Sequence, residues 1–101
     1  MSWTELKATP LLSATGVAVS SAMAYGKFRI RGFMARAGGT NGTLEVRDGS
    51  AATGSLMFIV PLVSGSVEFL SFQDGGFRTS TNHIWVSVGT SVEATLIYDG
   101  G

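Results

Sequence analysis

The sequence lacks the features that mark most catalytic and metal sites. It has no cysteine among its 101 residues, which excludes disulfides and thiolate metal sites. Its one histidine is His83, and the carboxylates that could join it in a cluster are Asp74, Asp99 and Glu68. Their spacing matches no zinc or calcium site, and no G-x-S-x-G elbow indicates a Ser-His-Asp triad. The sequence therefore predicts a protein that is not an enzyme and holds no metal or cofactor.

Charge is scarce as well. Lys+Arg and Asp+Glu number seven each, and charged residues make up 14% of the chain, against roughly 25% in ordinary soluble domains. A balanced charge gives no general attraction to nucleic acid or to anionic membranes, so neither is an expected partner. In a small domain, so few charges indicate that part of the surface is covered in the working state.

Long apolar runs are also absent. None approaches the roughly 20 residues that cross a bilayer, and the N-terminus, which carries Glu5 and Lys7, lacks the apolar core of a secretory signal. We therefore expect synthesis in the cytoplasm, with any export by assembly or lysis.

Short segments of alternating apolar and polar residues, separated by glycine-rich turns, make up most of the chain. About eight such segments recur at spacings of roughly 8 to 12 residues, which is typical of a sandwich or barrel. The pattern predicts an all-β, single-domain antiparallel β-sandwich, jelly-roll-like, over residues 11–101. Residues 1–10 show no periodicity and predict an extended arm. Trp3 and Leu6 could tie this arm to a neighbour, or it could be a frayed terminus.

The alternation also assigns faces to the strands, because successive side chains point to opposite sides. In residues 25–36, Phe28, Ile30 and Met34 fall on the core face, and Gly32 predicts a bulge or bend. In residues 11–20, Val17 and Val19 are expected on one side.

Residues 56–63, with the sequence LMFIVPLV, are apolar on both predicted faces. One face carries Leu56, Phe58, Val60 and Leu62, and the other carries Met57, Ile59, Pro61 and Val63. Since antiparallel sheets normally have one dry and one wet face, we expect other copies of the chain to cover the second face. Trp85 also leaves the core face of its strand, either under a loop or in an interface. The predicted subunit interface is Met57, Ile59, Pro61, Val63 and Trp85.

Lys27, Arg29 and Arg31 are spaced by two residues and predict a basic stripe on one strand face. In one interpretation they are solvated and pair with Glu45, Glu68 or Glu93 on neighbouring strands. In the other they contact an acidic protein surface or a glycan.

The order of features resembles a known class of proteins. Residues 9–16 read T-P-L-L-S-A-T-G, residues 29–32 form an R-x-R-G run, and L-E-V-R-D-G follows. Then come a small-residue loop, the apolar strand with Pro61, the Gly75-Gly76 turn and a closing L-I-Y-D-G strand. This order resembles the small all-β virion proteins of tailed bacteriophages that decorate or cement capsids.

The resemblance implies a structural protein with no catalytic residues, often trimeric, that binds the outside of a phage head and stabilises it. A homotrimer on the exterior of the virion capsid is therefore expected, with the major capsid protein as partner. The expected capsid contacts are Trp3, Leu6, Lys27, Arg29 and Arg31. One alternative is another phage structural subunit, from the head-tail region, fibre or baseplate. A second is a carbohydrate-binding jelly-roll module that would use Trp85 and Tyr98.

Overall fold

The chain folds into two antiparallel β-sheets. The structure is a computed structural model that describes residues 6–20, 28–72 and 76–100. Within these ranges there are nine strands and no helix. The strands are β1 (Lys7–Ala8), β2 (Gly16–Ser20), β3 (Phe28–Ala37), β4 (Gly42–Asp48), β5 (Ser55–Leu62), β6 (Val67–Ser71), β7 (Phe77–Arg78), β8 (His83–Val88) and β9 (Val92–Gly100). The predicted all-β class is confirmed.

The strand order is that of a jelly roll. Sheet A has the order β1-β9-β3-β6, with the short β7 also pairing with β3, and sheet B has the order β2-β8-β4-β5. Consecutive strands lie in different sheets, except for the β4–β5 hairpin and the β6–β7 pair along β3. This order makes β5 the edge of sheet B and β6 an edge of sheet A, and only residues 63–66 separate these two strands.

The core lies between the sheets and follows most of the predicted alternation. Its fully buried large side chains are Ile30, Leu44, Ile84, Leu96, Val46, Val86, Val92 and Thr79. Thr79 is the polar member, and it satisfies its hydroxyl by donating to backbone oxygens while accepting from the amide of Phe28 at 2.9 Å. An apolar core closed by alternating strands accounts for the predicted sandwich.

Bulges overturn three of the predicted faces. In β3 the register shifts between Ile30 and Gly32, as the glycine predicted. The core face then passes to Phe33, and Met34, expected inside, is 45% exposed. A Cβ on Gly32 would lie 2.6 Å from the carbonyl oxygen of Leu70, so the glycine lets β6 approach.

The other two bulges act in the same way. In β2 the register shifts between Val17 and Val19, so Val19 is buried while Val17 is 46% exposed. In the β4–β5 hairpin the register shifts at Met57. Met57 therefore packs against the core, and Leu56, expected beside Phe58, is 45% exposed.

The predicted arm is partly incorporated into sheet A. Lys7 and Ala8 form β1 against β9, and Thr9 is buried, accepting a hydrogen bond on its hydroxyl from the Leu96 amide at 3.0 Å. Leu6, immediately before β1, is 63% exposed. Trp3 lies outside the described residues.

Candidate functional site

Exposed apolar side chains gather along one side of the sandwich. Among the described residues, eleven large hydrophobic side chains are exposed: eight lie on or beside the two edge strands β5 and β6, and three lie near β1 and β2 at the opposite edge. The eight are Met34, Leu56, Ile59, Val63, Val67, Phe69, Leu70 and Phe77. We call the β5 and β6 strands, with the 63–66 turn between them, the open edge. Exposed apolar side chains concentrated in this way are typical of an interaction site.

A cleft of about 390 Å³ enters the sandwich at the open edge. Its lining residues are Phe33, Phe58, Ile59, Val60, Pro61, Glu68, Phe69, Leu70, Phe72 and Phe77. Glu68, on β6, is the one charged residue among them. The core is therefore uncovered where the two edge strands diverge.

Four phenylalanine rings form the floor of the cleft. Phe58 lies 5.7 Å from Phe33, 5.4 Å from Phe72 and 5.3 Å from Phe77, measured between ring centroids. Phe72 and Phe77 meet edge to face at 4.9 Å. Such pairs stabilise one another by about 0.5–1.5 kcal/mol beyond their burial, so the four rings form one packed aromatic cluster.

The outer face of sheet B carries three of the predicted interface residues. Ile59 and Pro61 lie opposite Glu45 and Thr43, which face away from the core. Trp85 lies opposite Arg47 on the same face. Cross-strand partners share a face of the sheet, so these three residues share one surface. The alternation predicted only that each lies on the non-core face of its own strand.

An ion pair between Glu45 and Arg47 lies on this surface. Arg47 donates to Glu45 at 3.1 Å and to the carbonyl oxygen of Gly54 at 3.0 Å, which fixes the β4–β5 connection. Trp85 is half-buried, and its Nε1 is buried without a hydrogen-bond partner among the described residues. Of the remaining predicted interface residues, Val63 is 68% exposed in the turn. Met57 instead packs against the core.

The two described residues of the predicted basic stripe, Arg29 and Arg31, have different neighbours. Arg31 donates to the buried carboxylate of Asp99 at 2.9 Å, instead of to any of the three glutamates considered. Arg29 lies opposite both Asp99 and Arg78 in the register. Lys27 lies outside the described residues. Two of the glutamates have other partners, since Glu45 pairs with Arg47 and Glu93 with Arg36.

The aromatic residues considered for carbohydrate binding are not open platforms. Tyr98 is half-buried and meets Phe28 edge to face at 5.7 Å, and Trp85 is half-buried as described above. Stacking on a sugar needs an exposed ring face. The geometry therefore places more accessible aromatic surface at Phe69 and Phe77 than at these two residues.

The residues considered for metal binding do not converge in the described ranges. There, no group of three or more His, Asp or Glu side chains could hold an ion; Asp74 lies outside them. Nor do those ranges contain a helix with the length and apolar character needed to cross a membrane.

Comparisons of the chain with protein-family models, with curated protein sequences and with solved structures find no match. Function is therefore inferred from the open edge and from the sequence. The alternation predicted the position of β5 and the non-core face of Trp85, but it did not predict the cleft, the phenylalanine floor or the position of Glu68. The only signal for Glu68 was its interruption of an otherwise apolar strand.

Proposed function

We propose that this protein is a structural subunit that associates with copies of itself and decorates the outer surface of a phage capsid. The observation that carries the proposal is the concentration of eight exposed large hydrophobic side chains along the open edge. The resemblance of the sequence to capsid decoration proteins supplies the biological setting.

The magnitude of the apolar surface supports association. Fully burying one large apolar side chain stabilises by about 1.5–3 kcal/mol. Eight side chains that are about half exposed would thus contribute about 8 kcal/mol from each copy. Shared between contacts with sister copies and with the capsid protein, the contributions of both partners in each contact are comparable with the estimated cost of association, about 4–15 kcal/mol. A cyclic assembly, such as the expected trimer, would satisfy the contacts between copies in a closed ring without covering both edge strands.

Ile59→Asp tests the interface. Ile59 is 48% exposed on the outer face of sheet B, so the new charge should be tolerated by the folded monomer but expelled from an apolar contact. We expect a multimer of the wild-type chain by light scattering and a folded monomer of the variant by circular dichroism. Leu11→Asp is the matched control, because Leu11 is 55% exposed at the opposite edge. A wild-type chain that is monomeric at micromolar concentration would contradict the proposal.

Binding to capsids tests the proposed role as a decoration protein. Saturable binding of the wild-type chain to capsids stripped of decoration, measured by cosedimentation, is the expected result. Multimers that do not bind any capsid would instead favour another phage structural subunit.

A further inference from the structure

The two strands of the open edge differ in how they can pair with another strand. In sheet B, the amide of Gly89 donates to the carbonyl oxygen of Thr43 at 3.1 Å, so Thr43 turns its backbone groups toward β8. Pro61, opposite Thr43, therefore turns its nitrogen toward the free side of β5. Because proline has no N–H, it blocks pairing at this edge.

The β6 edge has no such block. Its register with β3 is regular from Val67 to Ser71. Just beyond this stretch, the amide of Phe72 donates to the carbonyl oxygen of Arg31 at 2.7 Å. Since hydrogen-bonding directions alternate along an antiparallel strand, Val67, Phe69 and Ser71 direct their backbone N–H and C=O groups to the free side. Three successive sites are thus available to a pairing strand.

A strand added to β6 would also cover the cleft. Leu70 lies opposite the buried Phe33 and faces inward, yet 48% of it is exposed. Inward-facing side chains of an added strand would lie beside Leu70 and above the rings of Phe58 and Phe72. The free backbone groups of β6 and the open cleft therefore fit the same kind of ligand. This ligand is an extended segment with apolar side chains at alternate positions.

Glu68 adds the requirement that the bound segment carry a positively charged side chain. It lies opposite the buried Ala35 and is the one charged residue among the described residues that line the cleft. Closing the cleft would remove the carboxylate from water, which is costly without a cationic partner. An inward-pointing charge on an edge strand also prevents indiscriminate pairing.

We propose that the free edge of β6 and the cleft bind an extended segment of a different protein, which presents apolar side chains and places a lysine or arginine beside Glu68. This inference rests on the proposed function, since it describes how the subunit would hold its partner in the assembly. A second copy of β6 is a poor occupant because residues 67–71, with the sequence VEFLS, contain no cation. Paired β6 strands would enclose two carboxylates with no positive charge between them.

Synthetic peptides titrated against the full chain test this proposal. The probe is a labelled, capped peptide about eight residues long, of alternating valine and threonine, with lysine in place of one central valine. A second peptide carries glutamate in place of the lysine, and a third is N-methylated at alternate amides so that it cannot pair. Fluorescence anisotropy measures binding, and light scattering of the same samples measures the oligomeric state.

We expect the lysine peptide to bind about tenfold or more tightly than the glutamate peptide, and the N-methylated peptide to lose binding. Glu68→Lys should reverse the preference, and Glu68→Gln should remove it. Glu45→Gln is the matched control, because it removes a carboxylate from the outer face of sheet B, and it should leave the preference unchanged.

Equal binding of the two charged peptides, or no binding, would overturn the proposal. So would loss of the wild-type multimer in Glu68→Lys, because the occupant would then be a second copy. In each of these cases a wild-type multimer leaves the proposed function standing. A monomer that prefers the lysine peptide would contradict self-association and retain the β6 site.

Discussion

Asp48, at the end of β4, joins two turns through its carboxylate. One carboxylate oxygen accepts hydrogen bonds from the amide and hydroxyl of Ser80, both at 2.8 Å. The other accepts from the amide of Thr81 at 3.1 Å and from its hydroxyl at 2.6 Å. Burial by itself raises the pKa of Asp48, but these hydrogen bonds outweigh it, so the pKa lies below its ordinary value.

The lowered pKa of Asp48 predicts a loss of stability in acid. The unfolded chain binds the proton first as the pH falls below about 4, so the contribution of Asp48 is present above that pH and is lost as the pH falls through the folded-state pKa. Asp48→Asn should lower the free energy of unfolding at neutral pH by about 1–3 kcal/mol. Its urea midpoint should also fall less steeply than that of wild type as the pH is lowered from about 5 to about 3.

The control for Asp48 is Glu93→Gln, which removes a carboxylate from a more exposed ion pair with Arg36. We expect this variant to change the free energy of unfolding by less than about 1 kcal/mol. Identical acid dependence of wild type and Asp48→Asn in urea titrations would contradict the role given to the hydrogen bonds.

At the scale of strands, the sequence predicts positions better than faces. The apolar strand expected at 56–63 is β5, Ser55–Leu62, and the alternation of Leu44 and Val46 places both in the core. Each wrong face lies at a bulge, because one extra residue breaks the alternation between the side chains before it and those after it. Gly32 indicated one bulge, but no glycine marks the bulge between Val17 and Val19 or the bulge at Met57.

Contacts between distant strands could not be predicted in the same way. The pairing of Arg31 with Asp99 depends on β3 lying beside β9, and the cleft depends on β5 and β6 being the edges of different sheets. Alternation gives a strand its two faces, but only the topology decides its neighbours. For that reason Trp85 was correctly assigned to a non-core face, whereas Glu68 was not connected to a cleft.

Substitution of Gly32 is expected to change the position of the β6 strand. The missing side chain of Gly32 admits the backbone of Leu70, since a Cβ would lie 2.6 Å from that carbonyl oxygen. Gly32→Ala should therefore displace β6 and lower the free energy of unfolding by about 1–3 kcal/mol, measured by urea denaturation. Amide hydrogen exchange should rise first in β6.

Gly16→Ala is the matched control for Gly32→Ala. Gly16 also lies in a strand, and a Cβ there would meet no atom within 4 Å. We expect this variant to be as stable as wild type or slightly more stable. Equal destabilisation by the two substitutions would show that the approach of β6 is not the cause.

At the scale of the whole molecule, the sandwich has two unlike edges. Counting only residues 6–20, 28–72 and 76–100, three exposed large hydrophobic residues lie near the β1–β2 edge, whereas eight lie on or beside the open edge. If copies cover the open edge, folding and association are linked, and the melting temperature depends on protein concentration.

We expect the melting temperature of the wild-type chain to rise with concentration in differential scanning fluorimetry. For a domain of this size each 1 kcal/mol of added stability raises it by about 4–8 °C. Ile59→Asp should melt at one temperature throughout, and Leu11→Asp should behave as wild type. A wild-type melting temperature that is independent of concentration would contradict linked association.

The connection between β5 and β6 makes the open edge modular. Residues 55–71 contain both edge strands and the turn that joins them, so one uninterrupted stretch of chain supplies six of the eight exposed large hydrophobic residues described on or beside the open edge. The inner strands β3, β4, β8 and β9 lie outside this stretch. Replacing these consecutive residues could therefore retarget the molecule to a new partner while its scaffold stays the same, by natural recombination or by grafting in the laboratory.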